Sequence, residues 1–208
     1  MPLPAILAAA ALVGAAALSG RAQTGSRARM TVDQAAAHKA RLVELLRVGR
    51  WQDALSLNQA ERKRKLDLRG VDLTVAQLSY ANLSSANLTK ANLTDADLEW
   101  ASLAGANLSG ADLTKANLTR ALLLRANLIN TNLTNANLAD TNLEYANLTD
   151  ANLTNANLTG ATLEGARLPE GLLSPNTRLD AVPWAGTPFG WKAIASPRGA
   201  RFLPLSKA

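Results

Sequence analysis

The sequence contains no cysteine. That excludes a disulfide, a thiolate metal site and a cysteine nucleophile, and it leaves the redox compartment unmarked. Histidine occurs once in 208 residues, as His38. A His-cluster metal site is therefore excluded, and a His-based triad is disfavoured. Aromatic residues make up 4% of the chain, so any core must be built from Leu and Ala. No Gly-rich phosphate loop is present. No constellation of acid, base and nucleophile stands out, and the expectation is a protein that is not an enzyme and has no cofactor.

The formal charge of +6 is an average over unlike segments. Residues 1–65 hold eleven Lys/Arg and four Asp/Glu, residues 66–173 hold six and eleven, and residues 174–208 hold five and one. Two basic ends thus flank a mildly acidic middle. Such asymmetry points to anionic partners for the ends rather than for the middle. Nucleic acid is a disfavoured partner, both for the acidic middle and for the short basic run at 62–65, which has only Trp51 as an aromatic near it.

Residues 3–18 carry no charge and are rich in Ala. They are short for a bilayer span, which takes roughly 20 apolar residues. Two readings of residues 1–22 stand side by side. One is a secretory signal cleaved after Ala22, although no basic residue precedes the apolar run. The other is a retained membrane anchor through residues 1–20, with Arg21, Arg27 and Arg29 holding the following chain on the cytoplasmic side. A mis-assigned start or a disordered Ala-rich stretch is the bland competitor. Export or membrane tethering is the expected localisation.

Residues 23–30 read as a linker. In residues 31–65, Thr31 and Gln34 form a capping box, and Leu42, Val43, Leu45 and Leu46 make a helical apolar stripe. Gly49 ends that helix. A second begins near Trp51, with Ala54, Leu55 and Leu57 inward, and the run Arg62-Lys63-Arg64-Lys65 comes next. His38 is expected on the solvated side. The segment reads as a basic helical cap on the stretch beginning at residue 66, with a membrane-surface helix as competitor.

From residue 66 to residue 173 one pattern repeats: Ala, Asn or Asp, Leu, then two variable residues, as in Ala86-Asn87-Leu88-Thr89-Lys90. Leu fills every fifth position from Leu68 to Leu168, 21 in succession, and Leu173 extends the series. At about 100° per residue a helix would scatter these leucines around its circumference. A straight strand would alternate them between faces. Only a chain that bends once per repeat keeps them together, with a small residue two before each Leu.

This tandem A-[DN]-L-x-x motif resembles the pentapeptide-repeat family. The resemblance covers residues 66–173. It implies an all-β solenoid: a right-handed quadrilateral β-helix with four repeats per coil and about five coils, here with an N-terminal helical cap.

With twenty residues per coil, positions twenty apart stack. Thr74, Thr94, Thr114, Thr134 and Thr154 form one expected ladder, with hydroxyls bonding each other. Asn87, Asn107, Asn127 and Asn147 form another. The recurring Asn-Leu-Thr matches a glycosylation acceptor, but the repeat itself generates it. Tyr80, Trp100 and Arg120 fall in one column, so Arg120 is placed for a cation–π contact with Trp100. Tyr145 stacks beside Arg125 in the next. Leu122, where Asn or Asp is usual, and Leu124 should face outward, and Ile129 one side further on. These residues are the candidate interaction surface, for an unidentified protein partner or for self-association.

Pro169 breaks the register, in a Leu168-Pro169-Glu170-Gly171 ending similar to that of many family members. Residues 174–208 read as an irregular tail carrying Trp184, Phe189, Trp191 and Phe202. The expected function is a rigid interaction module. The alternative implied by the resemblance is a DNA mimic that binds DNA gyrase and protects it from quinolones. The mild net acidity of the middle segment and the absence of Phe from its central positions argue against that alternative.

Overall fold

The computed structural model describes residues 32–60, 65–169, 191–194 and 201–204. The signal or anchor at 1–22, the linker at 23–30, Thr31, the run Arg62-Lys63-Arg64, Leu173, Trp184 and Phe189 lie outside the described residues. The chain divides into two compact units, Met1–Gln34 and Ala35–Ala208. Of the described residues, only Val32, Asp33 and Gln34 belong to the first.

Helix α1 spans Val32–Arg47 and helix α2 spans Trp51–Ala60. Asp33 in the first turn of α1 and Arg47 in its last suit the helix dipole. Gly49 then takes φ +75°. Its N–H reaches Leu46 O at 3.2 Å, and Arg50 N–H reaches Leu45 O at 2.8 Å. This paired closure is a Schellman motif, and its left-handed residue favours glycine.

Helix α1 buries His38, Leu42, Leu45 and Leu46. The expectation for His38 is overturned, since it is only 8% exposed. The reason is spacing: 38, 42, 45 and 46 lie on one helical face, so His38 belongs to the apolar stripe. On α2, Ala54 is buried, and Leu55 and Leu57 are half-buried against the same cluster.

That cluster continues into the repeats through Leu66, Leu68, Val71 and Leu73. Polar contacts fix α1 against this first coil. Gln77 N–H donates to Arg47 O at 3.3 Å. The Arg47 guanidinium binds both the carbonyl and the carboxylate of Asp72. Lys39 Nζ donates to Arg69 O.

In the repeats, all 21 central leucines from Leu68 to Leu168 are buried. Each contributes about 1.5–3 kcal/mol of burial. The residue before each Leu makes a parallel bridge to the residue twenty later, from Asp67 with Asn87 through Asn147 with Arg167. Twenty residues per coil at five per repeat gives four sides. Each side is too short for a regular strand, so this one residue carries the pairing. The Leu N–H donates to the carbonyl nineteen residues on, as Leu98 to Asn117 O at 2.7 Å.

Every corner is a tight turn, closed by a bond such as Ala101 N–H to Leu98 O at 3.0 Å. The residue two after each Leu has positive φ at all twenty corners from Gly70 to Gly165. A type II turn demands this at its third residue, where Gly or Asn is favoured. Here only five of the twenty are Gly. Val75, Tyr80, Trp100, Arg120 and Tyr145 adopt the same conformation.

Four repeats depart from the small-residue rule: the first two, where Leu66 and Val71 fill the position against the helices, and two further on. Thr131 and Thr141 stand where most repeats have Ala, and both are buried. Their hydroxyls donate to Leu108 O at 2.9 Å and to Leu118 O at 2.8 Å. Within the segment read as irregular, β1 (Trp191–Ile194) and β2 (Arg201–Pro204) pair antiparallel, Trp191 with Pro204. Trp, Ile and Phe in these stretches suit a strand.

Candidate interaction surface

The fold gives the coil four outer walls, named here by their first central leucine: Leu68, Leu73, Leu78 and Leu83. Each wall exposes the residue before and the residue after each central Leu. Coil-to-coil bonding uses the N–H of the first of these residues, of the Leu and of the corner. The N–H of the residue after Leu is left over. A side-chain oxygen two residues back takes it: Thr94 N–H donates to Asn92 Oδ1 at 3.1 Å. This Asx bond is the physical reason for Asn or Asp before each Leu.

The Leu73 wall obeys this rule throughout. Asp72, Asn92, Asp112, Asn132 and Asn152 each accept from the Thr two residues on. The Thr hydroxyls bond the same oxygens at 2.6–2.7 Å. The expected hydroxyl-to-hydroxyl ladder is therefore not formed. Stacked hydroxyls of one column stand about 4.8 Å apart, whereas the Asx oxygen of the same repeat is close; a cross-coil hydroxyl pair forms only diagonally, as Ser84 with Ser102 at 2.7 Å. The Asn ladder is partial: Asn127 Nδ2 donates to Asn107 Oδ1 at 3.1 Å.

The opposite wall, Leu83, breaks the rule. Before its five leucines stand Asn82, Ser102, Leu122, Asn142 and Thr162. Only Asn82 and Asn142 supply the Asx oxygen, to Ser84 and Glu144. Leu122 offers Leu124 N–H no acceptor and is 49% exposed. Leu124 beside it is half-buried.

Two corner columns border this wall. In the first, the Tyr80 and Trp100 rings stack at 6.5 Å with 6° between planes. Arg120 covers the Trp100 ring at 5.3 Å and pairs with Asp140 at 3.5 Å. In the second, Arg125 lies 5.8 Å from the Tyr145 ring. Tyr145 in turn packs so closely over Gly165 that a methyl group there would overlap its ring.

The structure thus brings Tyr80, Trp100, Arg120, Leu122, Leu124 and Tyr145 onto one wall and its edges. Ile129 sits on the Leu68 wall and is half-buried. Five large hydrophobic residues are exposed in the described repeats: Val75, Tyr80, Trp100, Leu122 and Tyr145. Four of the five border or lie on the Leu83 wall. Reading the columns separately misses this convergence, and indexing all positions by twenty reveals it. Exposed Val75 lies outside the sequence-predicted surface, at a corner of the first coil.

A groove of about 630 Å³ between α1 and the first coil is lined by Val43, Arg47, Val71 and Asp72 among others. Among the described residues, no group of three or more His, Asp or Glu side chains could hold a metal ion, and no helix is long and apolar enough to cross a membrane. Near the groove, the Arg69 guanidinium holds the Asp67 carboxyl below its ordinary value. The Thr74 hydroxyl and amide, then Arg47, do the same for Asp72.

A family model for pentapeptide repeats matches in eight copies over residues 64–95, 91–128, 101–138 and 131–169, half of the chain. No curated protein matches the chain. Among solved structures, HetL, a pentapeptide-repeat protein involved in heterocyst differentiation regulation in the cyanobacterium Nostoc, is 35% identical. The match covers 55% of this chain and 52% of HetL, with a TM-score of 0.47. The chain therefore spans about half the length of HetL. Rfr23, a pentapeptide-repeat protein from the cyanobacterium Cyanothece, is 32% identical over 61% of this chain and 97% of its own, with a TM-score of 0.42. QnrB1, a plasmid-mediated fluoroquinolone resistance protein, is 17% identical over 56% and 76%, with a TM-score of 0.33.

Proposed function

The chain belongs to the pentapeptide-repeat family, and on that premise we propose that it is a rigid interaction module presenting the Leu83 wall to a protein partner. The family's fold is a four-sided, right-handed β-helix, a structural and interaction scaffold. One observation carries the choice of wall: four of the five large hydrophobic residues exposed in the repeats gather on it or at its edges. A supporting one is local chemistry. Leu122 gives up the Asx bond kept at each position of the Leu73 wall, which is a loss to the fold with no packing gain inside it. Helices α1 and α2 serve as the cap of the first coil, where open backbone would otherwise invite pairing.

The apolar residues 3–18 and the arginines after them support export or membrane tethering of this module. Mass spectrometry of the mature N-terminus separates the two: a start at Gln23 means export, and an intact leader in the membrane fraction means an anchor.

A duplex-mimicking role is less well supported. It needs a strong acidic field, whereas Asp and Glu here are spread over several walls among Lys90, Lys115, Arg120 and Arg125. A photo-crosslinking residue at position 122 tests the interaction reading. Discrete adducts from position 122 but not from position 114, on the opposite wall, are expected. Equal labelling from both sites refutes it.

A further inference from the structure

We infer that the partner seated on the Leu83 wall is a second copy of this chain, packed face to face and antiparallel. The inference rests on the proposal that this wall is the interaction surface.

The wall is polarised along its length. Its first two coils carry Tyr80, Asn82, Ser84, Trp100, Ser102 and Ala104, with no charge. The middle coil carries Arg120, Leu122, Leu124 and Arg125. The last two carry Asp140, Glu144 and Glu164. Leu122 and Leu124 therefore lie at the centre of the pattern. A two-fold axis crossing the wall at the middle coil reverses the row order and keeps each edge against itself.

Under that operation Leu122 meets Leu122 and Leu124 meets Leu124 at the axis, as an isologous interface requires; Arg120 and Arg125 at the edges also meet their equivalents, a repulsion that the parallel pair shares by setting Arg120 against Arg125. Two large residues meet small ones, Tyr80 facing Gly160 and Tyr145 facing Gly105, while Trp100 faces Asp140. The acidic rows face the uncharged rows. Asp140 and Glu144 then stand one coil from the partner's Arg120 and Arg125. A parallel pair would instead align the acidic rows of both copies, setting Glu144 and Glu164 near their equivalents at unfavourable cost. Charge and size thus favour the antiparallel pair.

The wall is about 20 Å long at five coils spaced by strand distance and roughly 10–13 Å wide at three to four extended residues per side, an area below that of standard specific interfaces, so the pair is a weak, transient one. The dimer should form and separate reversibly with concentration. Absence of cysteine in the chain makes single-cysteine variants unambiguous. Packed sheets lie about 10 Å apart, so a bis-maleimide of that span is the reagent, since a direct disulfide needs Cα atoms within about 7 Å.

With the full chain at about 0.1 mM, where small interfaces populate complexes, sedimentation velocity should show dimer. Leu122→Asn, which installs the residue most repeats carry, should weaken association at least tenfold while the circular dichroism spectrum is unchanged. Leu122→Cys should crosslink to itself. Ser102→Cys should crosslink to Asn142→Cys in a mixture, and neither alone above the background set by Thr114→Cys. A monomer at this concentration, a dimer indifferent to Leu122→Asn, or efficient crosslinking of Ser102→Cys alone overturns the proposal. If the chain is a monomer yet position 122 still forms adducts with another protein, the wall remains the interaction surface and only the identity of the partner is wrong.

Discussion

Thr141 offers the sharpest test of how this core is built. Its side chain is fully buried where most repeats place Ala. Its hydroxyl donates to Leu118 O at 2.8 Å, and that carbonyl also accepts from Ala121 N–H at 3.0 Å. Three substitutions separate the components. Thr141→Ala removes both hydroxyl and methyl. The hydrogen bond is worth about 0.5–1.5 kcal/mol net, and the methyl about 0.8 kcal/mol, so a loss of about 1.3–2.3 kcal/mol is expected. Thr141→Ser keeps the bond and loses the methyl, for about 1 kcal/mol. Thr141→Val keeps the volume and loses the donor. Leu118 O stays satisfied by Ala121 N–H, so no buried acceptor is orphaned, and the cost should be under about 1 kcal/mol. The expected order of stability is wild type, Val, Ser, Ala. Urea denaturation followed by circular dichroism reads it as midpoints. At a slope of about 2 kcal/mol per molar urea, the Ala variant should shift by roughly 1 M. An Ala variant as stable as wild type refutes the reasoning, because Thr141 would then be tolerated crowding rather than packing. A Val variant as weak as Ala would show that the bond, not the volume, dominates.

Gly165→Ala should cost about 1–2 kcal/mol from its left-handed backbone alone, and more from overlap with the Tyr145 ring. Adding Tyr145→Ala should recover only the overlap part, and thermal midpoints of the two variants measure it. The carboxyls of Asp67 and Asp72 have folded pKa values below their ordinary ones. Their contribution is therefore complete above the unfolded value of about 4 and is lost as pH falls through the lowered folded values. Denaturation midpoints should fall below that pH, and Asp67→Asn with Asp72→Asn should flatten the decline; an unchanged slope would contradict it. Val75→Asn should raise the midpoint, since a β-branched residue at φ 53° is strained while Asn tolerates that conformation. A lower midpoint would mean that exposed Val75 makes a contact worth more than the strain.

The leucine register is readable because five residues fit neither regular period, and only a coil reconciles them. The Asn and Asp positions are readable as outward but not as Asx acceptors. That role appears only once coil bonding has used the other N–H groups and left the one after Leu. The corners hide their conformation for a different reason. Tyr, Trp, Arg and Lys are not residues that announce positive φ, and the solenoid imposes it on them. His38 is misplaced when a polar residue is assigned to solvent before its spacing from Leu42 and Leu45 is weighed. The site is half legible: its residues emerge column by column, but the wall they share needs all four sides indexed together.

The contrast between opposite walls bears on why this chain varies where it does. A coil of this kind constrains the inner Leu and the small residue beside it through packing, and the Asx position through an otherwise unpaired N–H. The Leu73 wall satisfies each of these demands five times over. The Leu83 wall meets the inner demands equally, since its central leucines are as buried as any, yet gives up the outer one at Ser102, Leu122 and Thr162. On the other two walls the Asx position departs only at Gln77, in the first coil, and Arg167, in the last. Those are ends, where a neighbouring coil is missing on one side. The inner requirements are those of folding; the outer one is only a convenience of each repeat, worth roughly one hydrogen bond. A chain under no other demand would be expected to keep it through the middle coils, as the Leu73 wall does. Departure at Ser102 and Leu122, on the wall where Trp100 and Tyr145 also gather, is what the proposed role of this wall in recognition predicts.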